Sequence, residues 1–176
     1  DGSVEVRAAA VQALAAVHGE RSAELMRAHL GDRDPRVTTI AALTLGTAAG
    51  AFDLAVKRAV KRTAFGRPIA DFQAKSFEIA DLHAGIEAAR LMLWKACWKV
   101  DRGAEFREEA SLAKYLAVDI ARKTAAWSAD MFGAASVMRD HPIHKFPMDA
   151  WGSSLGEGTQ DVQKLIIFRE VMKRYR

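Results

Sequence analysis

The segment LGEGTQDVQ, Leu155 to Gln163, sets one carboxylate, Glu157, between two glycines and just ahead of a helix-starting residue. A solvated Glu titrates near about 4.3 and is a poor proton acceptor at neutral pH, but enclosure disfavours its charged form and makes it more basic. Gly156 and Gly158 let the backbone bend and come close to a ligand, and Thr159 suits the N-cap of the following helix. The loop can therefore aim Glu157 from a helix start. The same triplet also suits an ordinary helix start with a solvent-facing Glu. A second cluster, KRTAFGRPIADFQ at Lys61 to Gln73, gathers Arg62, Phe65 and Gln73 around a glycine turn.

Other clusters carry less. His141 and His144 with Asp140 form a short HPIH loop that lacks further matched ligands, so no metal site is assigned. Ser153 and Ser154 have no His and Asp partners for a hydrolase triad. Trp94 and Trp98 share a helix face at i and i+4 and suit core or oligomer packing better than base stacking. The 26 basic residues are balanced by 22 acidic ones, and the densest, Lys57 to Arg62 and Lys173 to Arg176, suit solvated helix faces and helix C-termini. Nucleic acid is not an expected partner.

The elements that must position these residues are helical. With 50% hydrophobic residues, 4 Pro, 12 Gly and an Ala-rich texture, the 176-residue chain favours long helices over sheet. Helices are predicted over Val37–Arg62, Asp71–Asp101, Glu105–Phe132 and Thr159–Tyr175, with a turn at Thr63–Pro68 and an irregular stretch from Gly133 to Gly158. The fold class is all-α, an up-and-down four-helix bundle over residues 34–176 with a short N-terminal helical hairpin over residues 1–33. A shift of 31 residues places Asp1, Val6, Ala10 and Leu14 on Asp32, Val37, Ala41 and Leu45, a texture that resembles HEAT-like repeats. Small residues on the first long helix, Ala41, Ala42, Gly46, Ala48, Ala49 and Gly50, invite close helix approach. Apolar residues on more than one face predict a helix-mediated homo-oligomer. The single cysteine, Cys97, fits a reducing compartment, no uninterrupted apolar run of about 18 residues indicates a membrane span, and the acidic start is unlike a signal peptide. Cytoplasm is the expected location.

Taken together, the two clusters and the helices between them resemble the C-terminal helical domain of the flavin-dependent acyl-CoA dehydrogenases. The resemblance runs from about Val37 to Arg174 and includes Gly46, Ala48, Gly50, Ala51, Asp53, Ala55 and Arg62 on the first long helix. It implies that Glu157 is the base that takes the α-proton of an acyl-CoA thioester, while the β-hydride passes to FAD and leaves a 2,3-enoyl thioester. It implies that Arg62, Phe65 and Gln73 help hold FAD across a subunit boundary, with Gly133, Gly158 and Thr159 also at the cofactor. The residue types suit this, since Arg offers a fork of donors for pyrophosphate and Gln can both donate and accept. An electron-transfer acceptor is the implied partner, and a homo-oligomer or a heteromeric dehydrogenase subunit the implied assembly.

Departures from the family pattern are equally specific. DMFGAAS at Asp130 to Ser136 replaces a Gln ahead of a double-glycine turn, which brings a carboxylate near the pyrophosphate position and adds methyl groups where backbone would approach. Met148, Asp149 and Ala150 replace the family's Arg-Asp-Ala. At the place of an alternative base on the first helix stand Pro35 and Arg36, so Glu157 has no rival there. The family's N-terminal helical domain and middle β-domain have no counterpart in this sequence, so a working site would have to be completed by other domains or another chain. The alternative reading is a non-catalytic helical interaction module with a degenerate flavin site.

Overall fold

The computed structural model describes residues 36–176. The expected repeat over residues 1–33 lies outside them, as does Pro35. Five α-helices follow: α1 Arg36–Lys61, α2 Gln73–Asp101, α3 Arg107–Phe132, α4 Phe146–Ser153 and α5 Gln160–Met172. The three long helices run up, down and up, and α3 is the central one, packed against α1, α2, α4 and α5.

The α1–α3 interface is made of small residues. Ala41, Ala42, Leu45 and Ala48 from α1 meet Ala113, Ala117, Ala121 and Ala125 from α3 in one buried cluster, which Ile86, Ala89 and Leu93 of α2 complete. Alanine faces cost little side-chain entropy and let helix backbones approach, so two long helices bury much of their length against each other. Ser128 Oγ donates to the Ala51 carbonyl at 3.0 Å, a buried bond between the two helices. On α2, Gly85 lets Ile120 of α3 approach, since a Cβ there would lie 2.5 Å from Ile120 Cδ1. By length and mean hydropathy Val37–Lys61 could cross a membrane, a feature that a search for an uninterrupted apolar run misses. Its apolar face is nonetheless the core of the bundle.

The turn expected at Thr63–Pro68 is present, and the irregular stretch after α3 is corrected. The turn after α1 is a small β-hairpin, β1 Thr63–Ala64 antiparallel to β2 Arg67–Pro68, because Phe65 and Gly66 both take positive φ, 49° and 80°, and reverse the chain in two residues. The stretch predicted to be irregular holds 3-10 turns at Gly133–Val137 and Pro142–Lys145 and the helix α4. Pro142 and Pro147 stand in first-turn positions, where the missing N–H is no loss, so they begin helical turns rather than interrupt them.

Candidate functional site

Glu157 stands on the link between α4 and α5 and takes φ 52°, left-handed for a residue with a side chain. That conformation costs about 1–2 kcal/mol for an L-residue and needs support from its surroundings. The chain reverses at Glu157 and Gly158, the latter at φ 91°, whereas Gly156 keeps an ordinary φ. A side chain at 158 would be strained in φ and would place Cβ 3.0 Å from Gln163 Nε2 and 3.3 Å from Val162 Cγ1. Thr159 takes the N-cap position of α5 with an extended backbone, but its hydroxyl makes no capping bond. Its carbonyl accepts the Gln163 N–H at 3.1 Å instead.

The support comes from below the turn. Lys114 of α3, fully buried, donates its ammonium to the carbonyls of both Gly156 and Gly158. Gln163, 2% exposed, donates Nε2 to the Glu157 carbonyl at 3.2 Å and reaches the Gly158 carbonyl at 3.5 Å. Gln160 Nε2 reaches back to the Tyr115 carbonyl at 3.2 Å. Three successive carbonyls are thus turned toward donors in the interior. Burial holds the Lys114 ammonium below the usual lysine value, and the nearby Glu157 charge opposes that shift. Sequence reading passed over both donors. The available signal was Lys114 itself, a cation in the stripe Ala110, Ala113, Ala117, Ala121 that otherwise faces the core.

Above the turn, Glu157 lines a groove of about 630 Å³ whose other walls include Val37, Phe106, Ala110, Val162 and Ile166. The lining is more apolar than polar, and Glu105, Arg107, Ser111 and Gln163 share it with Glu157. Glu157 itself is exposed, so the enclosure expected around a proton acceptor is not supplied by the described residues. Glu109, 4% exposed, braces the neighbouring helix start through Lys99 at 2.7 Å and Lys95 at 3.4 Å. Burial raises the Glu109 carboxyl, and hydrogen bonds from Lys99, the backbone and Lys95, together with the Lys99 charge, outweigh it and hold the group low.

Arg62, Phe65, Gln73 and Gly133 gather at the opposite end of the bundle. Arg58 joins the ends of α1 and α3, with Nε 3.1 Å from the Met131 carbonyl and its guanidinium over the Phe132 ring at 4.7 Å. Arg62 and Gln73 are exposed on either side of the hairpin. Phe65 is 98% exposed at its tip, edge-on to Phe72 at 6.3 Å. Gly133 ends α3 at φ 59° with open space where a Cβ would stand. Asp130 is exposed one turn earlier. These groups are about 20 residues along α3 from the Glu157 groove, roughly 30 Å at 1.5 Å per residue. The chain therefore brings Glu157, Gly158 and Thr159 together, and separately Arg62, Phe65, Gln73 and Gly133, but it does not unite the two groups.

His141 and His144 bond locally, Nδ1 of His141 accepting from the Ile143 N–H at 3.2 Å, and no cluster of potential metal ligands occurs among the described residues.

A family model for the C-terminal domain of acyl-CoA dehydrogenases matches residues 35–172. The probable acyl-CoA dehydrogenase YngJ of Bacillus subtilis is 36% identical over 135 residues, 77% of this chain and 36% of that protein. The structure of butyryl-CoA dehydrogenase from Megasphaera elsdenii superposes with a TM-score of 0.75 at 32% identity, covering 77% of this chain and 36% of the other. The FAD complex of PigA superposes with a TM-score of 0.75 at 27% identity, covering 90% and 39%. The chain spans about a third of the length of the curated relatives it matches.

Proposed function

The chain belongs to the acyl-CoA dehydrogenase family as its C-terminal helical domain, and from that premise we propose that it supplies the proton-accepting half of an acyl-CoA dehydrogenase site and, from its other end, flavin contacts to a neighbouring site. The reading rests above all on Glu157, a left-handed carboxylate on a turn clamped from beneath and lining an apolar groove.

In this reading the thioester lies in the groove with its α-carbon toward Glu157, which takes the α-proton and becomes a neutral carboxylic acid. A flavin held by the assembly would supply the acceptor for the β-hydride, which with loss of the α-proton to Glu157 would leave a 2,3-enoyl thioester. The chain's remaining task is to hold the carboxylate still and to let the rest of the assembly exclude water from it, which raises its basicity. At the far end, the residues fit a flavin dinucleotide at the hairpin: an exposed aromatic tip at Phe65, the exposed fork of Arg62, and the exposed amide of Gln73. Gly133 offers unobstructed backbone. Exposed Phe77, Leu91, Trp94 and Trp98 along α2 suit burial in a homo-oligomer or against a further subunit. An acyl-CoA substrate and an electron-transfer acceptor complete the set of partners.

Asp130 and Ala134 support a second reading, a helical interaction module whose flavin site has degenerated, because by analogy with the family pattern a carboxylate and an added methyl group would lie near the pyrophosphate. A purified assembly that stays colourless and takes up no FAD would support that reading.

The deciding experiment is Glu157→Gln in the flavin-loaded assembly that contains this chain. The amide keeps the size and hydrogen bonding of the carboxylate, so melting and acyl-CoA binding should hold while flavin reduction by saturated acyl-CoA falls by about 10²- to 10⁴-fold. Reduction at the parental rate would remove Glu157 from the chemistry.

A further inference from the structure

We propose that Lys114 is the positioning residue for Glu157, a buried ammonium that fixes the left-handed turn through the carbonyls on either side of the carboxylate. This deepens the proposed function and rests on Glu157 being the base. A single flexible side chain bonded to the residues before and after Glu157 pins both ends of the peptide segment that sets its direction. The Gly156 and Gly158 carbonyls accept from buried Lys114, the Glu157 carbonyl between them accepts from Gln163, and Glu157 lines the groove together with Gln163. Nothing in the local sequence enforces this conformation. Glu157 has no intrinsic preference for positive φ, and the Thr159 hydroxyl does not cap the helix that follows.

The choice of lysine is informative. Lys114 stands in a stripe of alanines on the central helix, where an apolar residue would satisfy packing and avoid burying a charge. A buried cation that spends its hydrogen bonds on main-chain carbonyls, with the Glu157 carboxylate close enough to oppose the loss of its proton, is a geometric tie rather than a surface ion pair. Its two contacts are 42 and 44 residues away, so it fixes the α4–α5 link to the second turn of α3. Gln163 alone would leave the turn free to hinge about Gly156.

Lys114→Met tests this in the 176-residue chain, since methionine keeps the volume and removes both the charge and the donors. Backbone NMR couplings should show Glu157 leaving positive φ and several conformers over residues 155–159, with helix content retained. In the flavin-loaded assembly, tested with saturated acyl-CoA thioesters of short, medium and long chain, flavin reduction should slow by about 10²-fold with acyl-CoA affinity changed little, since misplacing a reacting group by an ångström has an effect of that order. Lys114→Gln keeps one neutral donor and should fall between parent and Met variant in both readouts. An unchanged turn in the Met variant, or a lost turn with an unchanged reduction rate, would overturn the proposal. So would failure of both variants to fold, which would make the lysine a support of the bundle. A silent Glu157→Gln combined with a turn that does depend on Lys114 would refute the base assignment and leave the tie intact.

Discussion

The two ends of the bundle hold their strained residues in opposite ways. Among the described residues Glu157 and Phe65 are the non-glycine positions with positive φ, one at each end. At the Glu157 end the turn is tied from inside, by Lys114 and Gln163, both buried. At the Phe65 end a two-residue ladder and ring contacts do the holding, with the Arg67 guanidinium 4.1 Å above the Phe72 ring, and the tip points fully outward. The contrast suits the proposed roles: a carboxylate to be aimed is fixed to the core, and an aromatic tip to meet a separate molecule is displayed at the surface. In the proposed function each chain would contribute to two sites, one from each end.

Leu45→Ala opens a cavity in the shared α1–α3 core and should cost about 2–5 kcal/mol, lowering the melting temperature and loosening both ends together; selective loss at one end would show that they fold independently. Arg62→Ala should weaken FAD retention by about 1.5–3 kcal/mol and Gln73→Ala by about 0.5–1.5, the ranges for charged and neutral hydrogen bonds, with the melting temperature nearly unchanged because both are exposed. Equal loss of FAD and stability would reassign them to structure.

Acid should separate the ends. Glu109 is held below the ordinary carboxylate range, so its contribution to stability is complete above about pH 4.3 and is lost as pH falls through its folded value. Glu78, at the other end, is also held low by Lys75 and by the Trp127 N–H at 2.9 Å, but its side chain is 44% exposed and solvent screens the pair. Hydrogen exchange in acid should therefore rise first around residues 95–111. The smallest effect concerns Cys97, whose thiol burial and the Asp101 charge push up to about 11. Alkylation at neutral pH should be slow and should accelerate with that same opening; rapid labelling of the folded chain would contradict the packing around α2.

The sequence made the long helices legible because their apolar spacing and Ala content are strong signals, and their ends fall within two or three residues of the prediction. The α4 segment was hidden by the Pro and Gly content of residues 133–158, although Pro142 and Pro147 stand in the first turns of helical segments. Glu157 and the hairpin residues could be found from motif and spacing, but not their separation, which depends on α3 running the length of the bundle between them. Lys114 and Gln163 stayed invisible for another reason: their partners are main-chain carbonyls, and no residue type in the loop announces that its carbonyls need a donor.

Subunit mixing tests whether the base and the flavin contacts of one chain serve different sites. In the flavin-loaded dehydrogenase carrying this chain, a Glu157→Gln copy and an Arg62→Ala copy should each be impaired alone. Co-assembled in equal amounts, they should regain roughly a quarter of the parental flavin-reduction rate, since half the dimers of a two-fold assembly are mixed and each mixed dimer has one intact site of two. Recovery near that level is the predicted result, and a mixture no more active than its two components would place Glu157 and Arg62 of one chain in the same site and contradict the account.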